Sequence, residues 1–177
     1  MILTGNEIKK EVSAGQIYIS PFVAECITTN SYDLALGDTL LEYTEEVLDP
    51  KKNNAYREIV IPPEGILLPK NSFHLGSSCE KIGSTSYVPI IHAKSGIARL
   101  GLFVHVTADL IDIGSIGAVT FQFYATLPVW VYPGMRVAQV SFWQPKGEVV
   151  LYEGKYQGSI GPRPSLSYLD KSKSQFL

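Results

Sequence analysis

Apolar and polar residues alternate along this chain in short runs, and most of the runs are bounded by glycine or proline. The clearest run is VTFQFYA at Val119–Ala125, where Val119, Phe121 and Phe123 recur at every second position. A period of two places alternate side chains on opposite faces of a β-strand, so one face of this run is expected to be buried. Many such runs with regular turns predict a mainly β fold, a jelly-roll-like barrel.

A different pattern occupies the N-terminus, where the sequence reads TGNEIKKEVSAG. Ile8 and Val12 are four positions apart and would share one face of a helix. Thr4 and Glu7 have the spacing of a capping box, and Gly15 would end the helix. The sequence therefore predicts one short helix before the strands begin.

The length of the chain predicts a single domain over residues 1–177, with enough residues to bury a core. The segment DPKKNNAYRE at Asp49–Glu58 carries charged and amide residues without apolar periodicity, which predicts an exposed loop. Residues 166–177, which end in LDKSKSQFL, are expected to form a tail that is either flexible or bound by a partner.

The overall composition narrows the classes of function. Hydrophobic residues make up 45% of the chain and charged residues 18%, which is typical of a self-contained globular fold. With 15 basic and 17 acidic residues the net charge is -2, so the chain lacks the broad positive field that binds polymeric nucleic acid. Any phosphate binding would therefore come from a local cluster of residues.

The sequence also carries indications of location. It has no run of about 18 apolar residues that could cross a membrane, and the segment MILTGNEIKKEV lacks the apolar core of a secretory signal. Cys26 and Cys79 lie far apart and outside any CxxC pair, so we expect both to be small buried side chains in a reducing compartment. These features predict a cytoplasmic protein without a membrane partner.

One segment is difficult to explain by packing. HAKSGIARLGL places Lys94, Ser95 and Arg99 around Gly96, between the apolar runs YVPII and LGLFVHV. A lysine, a hydroxyl and backbone N–H groups satisfy the oxygens of an anion, and a glycine lets the backbone approach closely. The pattern therefore predicts a local anion site.

Several kinds of catalytic site are excluded by missing motifs. Zinc-dependent nucleobase deaminases need H-x-E and P-C-x-x-C to hold the metal, and the chain contains neither. His74, His92 and His105 lack ligand spacing and are interpreted as structural. The chain also lacks a P-loop lysine motif and a G-x-S-x-G elbow. We therefore expect no catalytic zinc.

Taken in order, several segments resemble the dCTP deaminase family, which belongs to the dUTPase-like superfamily, and the resemblance runs from the start of the chain to about residue 170. The segments are NSYDLALG (30–37), KSGIARLGL (94–102), VHVTADLIDIGSIG (104–117), LPVWVYPGM (127–135) and YEGKYQGSIGPRPS (152–165).

The resemblance implies a dUTPase-like distorted jelly-roll or β-barrel that assembles as a homotrimer, with active sites at the subunit interfaces. It implies a pyrimidine deoxynucleoside triphosphate, dCTP or dUTP or a related pyrimidine nucleotide, as the ligand. Mg²⁺ would be held by the triphosphate and not by a protein ligand set. The resemblance also implies that the protein is located in the cytoplasm of a bacterial, archaeal or virus-infected cell.

The resemblance assigns roles to three parts of the chain. Lys94, Ser95 and Gly96 would face the phosphates and Arg99 the reacting base. Asp112 matches the aspartate that faces the deoxyribose, and in the related dUTPases the corresponding aspartate positions the attacking water. In the closing segment of the family, the nucleotide contacts would come from Tyr152, Lys155, Tyr156 and Ser159, because a glycine-rich segment with a lysine suits a lid that closes over a polyanion.

The chain departs from the family at the position of the general base. Deaminases of the family carry a glutamate in a pattern like T-L-E-F, where it activates the water that attacks C4 of cytosine, but this chain reads TFQF with Gln122 there. An amide orients water but has no titratable proton near neutral pH. Further departures are Lys94 for a usual arginine, Gly96 for a serine, Ser159 for a glutamine and Leu166 for an arginine.

Three functions remain open at this point. The first is an enzyme that deaminates dCTP, hydrolyses dUTP to dUMP, or does both. The second is a catalytically silent nucleotide-binding homologue that acts as a sensor or regulator, because Gln122 replaces the base. The third is a purely structural trimer, against which the joint retention of Lys94, Ser95, Arg99, Asp112 and Lys155 argues.

Overall fold

A computed structural model of the chain describes residues 1–170. Two helices, α1 (Gly5–Ser13) and α2 (Ser95–Ala98), and 3-10 turns at Ala24–Cys26 and Ser167–Leu169 accompany the strands of this part. The strands are β1 (Ile17–Ser20), β2 (Tyr32–Ala35), β3 (Thr39–Tyr43), β4 (Tyr56–Val60), β5 (Ile66–Leu68), β6 (Ser72–Ser84), β7 (Val88–Ala93), β8 (Leu102–Phe103), β9 (Ile116–Ala125), β10 (Val129–Val131) and β11 (Arg136–Trp143).

The strands form antiparallel sheets around one apolar core. The largest sheet has the order β4-β3-β6-β9-β8, with β1 also paired to β6. A second sheet has the order β2-β11-β7, and β10 pairs with β5. The prediction of a mainly β fold with one short N-terminal helix is confirmed.

Strand β9 carries the predicted alternation into the core. Phe121, Phe123 and Ala125 are fully or almost fully buried, and each buried phenylalanine contributes roughly 1.5–3 kcal/mol. Thr120 and Gln122 are half-buried on the opposite face. The strand therefore anchors the core with one face and presents polar groups with the other.

The N-terminal helix begins one residue after the predicted cap. The Thr4 side chain makes no capping hydrogen bond, and the Glu7 carboxylate instead accepts a hydrogen bond from the Lys10 ammonium at 3.0 Å. The predicted capping box is therefore wrong. The N–H of Gly5 donates to the carbonyl oxygen of Thr29 at 2.8 Å, so a tertiary contact satisfies one of the N–H groups that the first turn of a helix leaves free.

Two other local predictions need correction. The predicted loop Asp49–Glu58 gives way to β4 from Tyr56 onwards. Within it Asn54 is buried, and its side-chain amide is satisfied by hydrogen bonds with the backbone of Asp49 and Lys52. A second correction concerns the cysteines. Cys26 is buried as expected, whereas Cys79 is exposed and its thiol donates to the carbonyl of Leu36 at 3.1 Å.

Residues 166–170 of the predicted tail are described, and they include the turn Ser167–Leu169. Residues 171–177 lie outside the described residues, and the tail stays a prediction. Within residues 1–170, no helix is long and apolar enough to cross a membrane.

Two histidines make the stability of the fold depend on pH. Burial lowers the pKa of His74 and of His105, and their Nδ1 atoms have no hydrogen-bond partner among the described residues. The nearby carboxylate of Glu42 raises the pKa of His74, and the guanidinium of Arg57 lowers it. A histidine that is harder to protonate when folded makes the unfolded chain bind more protons, so the free energy of unfolding rises with pH across the interval between the two pKa values.

We expect His74→Leu to flatten this dependence. Acidification from pH 7 to 5 should lower the free energy of unfolding of the unmodified protein, with each histidine contributing at most about 1.4 kcal/mol per pH unit. The variant lacks one of these groups and should fall less steeply. Urea unfolding at several pH values measures this, and equal slopes for both proteins would contradict the role of His74.

Candidate functional site

The polar face of β9 lines a cavity of about 580 Å³. Its walls are largely apolar and its rim carries hydroxyl groups, which is the usual character of a small-molecule site. The lining residues are Tyr43, Leu48, Phe73, Leu75, Ile82, Ile91, Ala108, Ile111, Ser115, Gly117, Ala118, Val119, Thr120, Gln122, Tyr156, Ser159, Arg163, Pro164 and Ser165. We call this space the β9 cavity.

Residues 152–165, which we call the covering segment, close one side of the β9 cavity. The N–H of Ala118 donates to the carbonyl oxygen of Ser159 at 2.9 Å. In the other direction, the N–H of Gly158 donates to the carbonyl oxygen of Ile116 at 2.9 Å. At Gly117 a Cβ atom would lie 2.7 Å from the Ser159 nitrogen, so a side chain there would push the segment away. The covering segment is thus held against β9 by backbone hydrogen bonds, with Gly117 permitting the close approach.

Gln122 lies in the middle of β9, opposite Leu75 of β6, and lines the cavity. Its backbone N–H donates to the carbonyl oxygen of Val104 at 2.8 Å, which fixes the position of the residue. Its side-chain amide makes no hydrogen bond to any residue of 1–170. The amide is therefore available to a ligand, with one carbonyl acceptor and one NH₂ donor.

A second cavity of about 450 Å³, which we call the Asp112 cavity, adjoins the covering segment. It is lined by Asp112, Tyr152, Gly154, Lys155, Tyr156, Leu169 and Asp170. Asp112 is exposed and its carbonyl oxygen accepts a hydrogen bond from the N–H of Ser115 at 3.1 Å. Tyr156 lines both cavities, so the two spaces adjoin at this residue.

The ammonium group of Lys155 is paired with the carboxylate of Asp170. It also lies 5.5 Å from the centre of the Tyr156 ring, within the range of a cation–π contact. The hydroxyl of Tyr156 accepts a hydrogen bond from the N–H of Leu166 at 2.9 Å. The residues that follow the covering segment thus fold back on it and neutralise its lysine.

The cluster that the sequence placed around Gly96 lies elsewhere. Lys94 precedes the short helix α2, and its ammonium is paired with the buried carboxylate of Asp33, whose other oxygen has no partner among the described residues. Ser95, Gly96 and Arg99 are exposed and line neither cavity.

The structure therefore divides the predicted site residues into three groups. Gln122, Tyr156 and Ser159 share the β9 cavity, although the hydroxyl of Ser159 already donates to the carbonyl oxygen of Tyr156 at 2.6 Å. The Asp112 cavity holds Asp112, Tyr152, Lys155 and Tyr156. The residues around α2 form the third group, and their roles, like those of the other two groups, stay predictions.

Sequence reasoning missed Arg163, which lines the β9 cavity. Its signal in the sequence was a cation between two prolines, in the segment GPRPS that follows the lysine. Within residues 1–170, the histidine, cysteine and acidic side chains form no group of three that could hold a metal ion.

The antiparallel β fold thus carries a cavity, covered on one side by residues 152–165, whose size and lining are typical of small-molecule sites. The sequence model of the dCTP deaminase-like family matches residues 2–145, which is most of the chain. The chain belongs to the dCTP deaminase-like family, and the resemblance of its motifs is confirmed.

Relatives at about two-fifths identity extend the match over nearly the whole chain. A protein of Clostridium botulinum (strain Eklund 17B / Type B) named "dCTP deaminase, dUMP-forming" is 41% identical over 174 residues, which is 98% of this chain and 100% of the relative. Proteins of Leptospira biflexa and Cytophaga hutchinsonii with the same name are also 41% identical over 174 residues and cover 98% of this chain, with 99% and 100% of their own lengths matched.

A solved structure supports the fold independently. The 2'-deoxycytidine 5'-triphosphate deaminase from Agrobacterium tumefaciens superposes with a TM-score of 0.64 at 19% identity, covering 80% of this chain. This chain spans 47% of that protein's chain, so the similarity concerns about half of the larger protein and shows a shared fold.

Proposed function

We propose that this protein binds the Mg²⁺ complex of a pyrimidine deoxynucleoside triphosphate and hydrolyses dUTP to dUMP and pyrophosphate, while its deamination of dCTP is strongly impaired. The observation that carries the proposal is the neutral Gln122 amide on the wall of the β9 cavity, next to a cavity that contains the Asp112 carboxylate. The relatives are named as enzymes that form dUMP from dCTP, which requires both deamination and pyrophosphate release. This chain keeps the residue assigned to the second reaction and lacks the base of the first.

Hydrolysis of dUTP needs a positioned water molecule and a proton acceptor. The water oxygen forms a bond to the α-phosphorus, the bond from that phosphorus to the bridging oxygen breaks, and pyrophosphate leaves with the electron pair. In the proposal Asp112 orients this water and accepts its proton, which then passes to solvent. Asp112 is exposed, so the proton has a direct path to bulk water.

Deamination places a different demand on the site. Water must lose a proton as it attacks C4 of cytosine, and the leaving ammonia must gain one. Gln122 does neither, because an amide does not titrate near neutral pH. Its side-by-side acceptor and donor nevertheless match the O4 and N3–H groups of uracil, and after a flip of the amide they match N3 and the amino group of cytosine. The residue is thus suited to binding a pyrimidine but not to activating water.

The proposal includes a homotrimer in which α2 of one chain faces the cavities of its neighbour. Its support is that the α2 group lines neither cavity within one chain, together with large exposed apolar side chains in the residues that follow α2. These side chains are Leu100, Phe103, Val106 and Leu110, each at least half exposed. Their burial between subunits would remove an apolar surface from water. A cytoplasmic location stays a prediction.

The test is product analysis by chromatography after incubation with Mg²⁺ and, separately, dUTP and dCTP. We expect dUMP and pyrophosphate from dUTP, with dCTP unchanged on the same time scale. Asp112→Asn, purified in parallel, is the control for contaminating dUTP hydrolases. Efficient formation of dUMP from dCTP would show that another group supplies the base. Binding without any product would favour the catalytically silent homologue.

The ion pair between Lys155 and Asp170 leads to a prediction about affinity. The Asp170 carboxylate is paired with the Lys155 ammonium and competes with a phosphate for it. Asp170→Asn should therefore tighten the binding of the Mg²⁺ complex of α,β-imido-dUTP. A partly exposed ion pair is worth about 0.2–1 kcal/mol, so the dissociation constant should fall about 1.4- to 5-fold. Isothermal titration calorimetry measures this value.

Glu153→Gln is the matched control, because Glu153 is an exposed carboxylate in the covering segment without an ion pair among residues 1–170. It removes the same charge but leaves the pair with Lys155 intact. An equal gain of affinity in both variants would show a general charge effect. Weaker binding by Asp170→Asn would show that Asp170 supports the bound state instead of competing with the ligand.

A further inference from the structure

The two cavities differ in the sign of their charge. Among the described residues that line the β9 cavity, Arg163 is the one charged side chain, and no carboxylate is present. The Asp112 cavity contains one cation, Lys155, and two carboxylates, those of Asp112 and Asp170. While Lys155 is paired with Asp170, the most strongly charged end of an anionic ligand is therefore favoured at the arginine.

Arg163 is also available to bind an anionic ligand, unlike the two lysines that the sequence analysis predicted to bind phosphate. The ammonium groups of Lys94 and Lys155 are each paired with a carboxylate. Arg163 makes no ion pair within residues 1–170. A guanidinium stays charged at every physiological pH and presents a fork of N–H donors that matches two phosphate oxygens.

The backbone of Arg163 is held at the cavity rim although its side chain is exposed. Its N–H donates to the hydroxyl oxygen of Thr120 at 3.0 Å, and the N–H of Ser165 donates to the hydroxyl of Tyr43 at 2.9 Å. Proline on both sides, at 162 and 164, restricts the local backbone further. The root of the arginine is therefore fixed to β9 and β3, and only its side chain is free to adapt to a ligand.

The position of Arg163 relates it to Gln122. Thr120, which holds the arginine backbone, is two residues before Gln122 on the same face of β9. Two residues of a strand span roughly 7 Å, so the long arginine side chain and the Gln122 amide reach into the same space. A ligand with an uncharged hydrogen-bonding end and an anionic end would satisfy both groups at once.

We propose that Arg163 binds phosphate oxygens of the nucleotide in the β9 cavity and orients its uncharged base towards Gln122. The inference rests on the proposed function for the identity of the ligand. It adds a phosphate-binding residue from the covering segment, placed to bind the ligand while Lys155 is paired with Asp170. Because Arg163 belongs to the covering segment, its contact with the ligand would also stabilise the position of that segment over the cavity.

The test uses isothermal titration calorimetry of the full chain with two probes, the Mg²⁺ complex of α,β-imido-dUTP and the phosphate-free nucleoside deoxyuridine. Arg163→Gln should raise the dissociation constant of the triphosphate about 10- to 100-fold, the usual size for a hydrogen bond to a charged group. The dissociation constant of deoxyuridine should stay within about two-fold, because uncharged ligands do not use the guanidinium. Arg163→Lys, which keeps the charge but loses the fork, should lie between the two.

Lys9→Gln is the charge control, since Lys9 is an exposed cation on α1 that lines neither cavity. It should bind both probes as the unmodified protein does. Unchanged triphosphate binding by Arg163→Gln would overturn the inference and leave the proposed function intact. Equal weakening for both probes would also overturn it, because the arginine would then act on the fold of the site. A failure of the unmodified protein to bind any pyrimidine nucleotide would overturn the inference and the proposed function together.

Discussion

Replacing Gln122 with glutamate is expected to raise the rate of dCTP deamination by about 10²–10⁴-fold, the usual contribution of a general acid–base group. The carboxylate would stand where the amide now lines the β9 cavity, on a strand whose backbone is fixed by β6 and by the hydrogen bond to Val104. It can remove a proton from the attacking water and return it to the departing ammonia. Ammonia release and chromatography of the pyrimidine products measure the gain.

The control for this gain is Gln144→Glu, which adds the same charge at an exposed glutamine outside both cavities. It should leave the rate with dCTP unchanged. If Gln122→Glu binds the nucleotide as tightly as the unmodified protein and still produces no ammonia, the missing base is not the cause of low deamination. A high rate in the unmodified protein would be equally damaging, because another group would then already supply the base.

Asp112→Asn should reduce the formation of dUMP from dUTP by a similar factor of about 10²–10⁴, because the amide no longer accepts the proton of the attacking water. Binding of the Mg²⁺ complex of α,β-imido-dUTP should change little, since asparagine has the same shape and Asp112 is exposed. Steady-state kinetics with a pyrophosphate assay separate the effect on kcat from the effect on KM. A change confined to KM would assign Asp112 to binding alone.

Asp109→Asn provides the matched control, because Asp109 lies three residues earlier in the same segment and is also exposed. It should hydrolyse dUTP at the rate of the unmodified protein. Activity that survives in Asp112→Asn would mean that the water is positioned by another group. The variant that combines Gln122→Glu with Asp112→Asn should convert dCTP to dUTP and stop there, which separates the two reactions in one protein.

The two predictions depend on a division of work that the geometry makes possible. Gln122 and Arg163 line one cavity and Asp112 lines the next, with Tyr156 between them. A nucleotide spans a base, a sugar and a chain of phosphates, so each group can act on a different part of one ligand. A single substitution at Gln122 can therefore alter the chemistry at the base without removing the residue assigned to the phosphorus reaction.

Local patterns succeeded where one element's own residues decide the outcome. The period of two in β9 predicted the burial of Phe121 and Phe123, because a strand places alternate residues on opposite faces whatever its neighbours are. Val119, which the same pattern includes, is only half-buried because it lines the β9 cavity. They failed where a partner far away in the chain competes. Thr4 has the right neighbour for a capping box, but the Gly5 N–H at the helix start donates to the carbonyl oxygen of the distant Thr29. A local competitor acts as well, because the Lys10 ammonium on the same helix pairs with the Glu7 carboxylate.

The same reasoning explains the candidate site. The sequence by itself determined the family, the mainly β fold, the neutral residue at position 122 and the retention of Asp112, because these depend on residue identity and short spacing. Tertiary structure alone decided that Lys94 is paired with Asp33 and Lys155 with Asp170, and that Arg163 is the cation lining the β9 cavity. Which charges are neutralised and which face a cavity depends on contacts between distant segments, and those contacts form only when the whole chain folds.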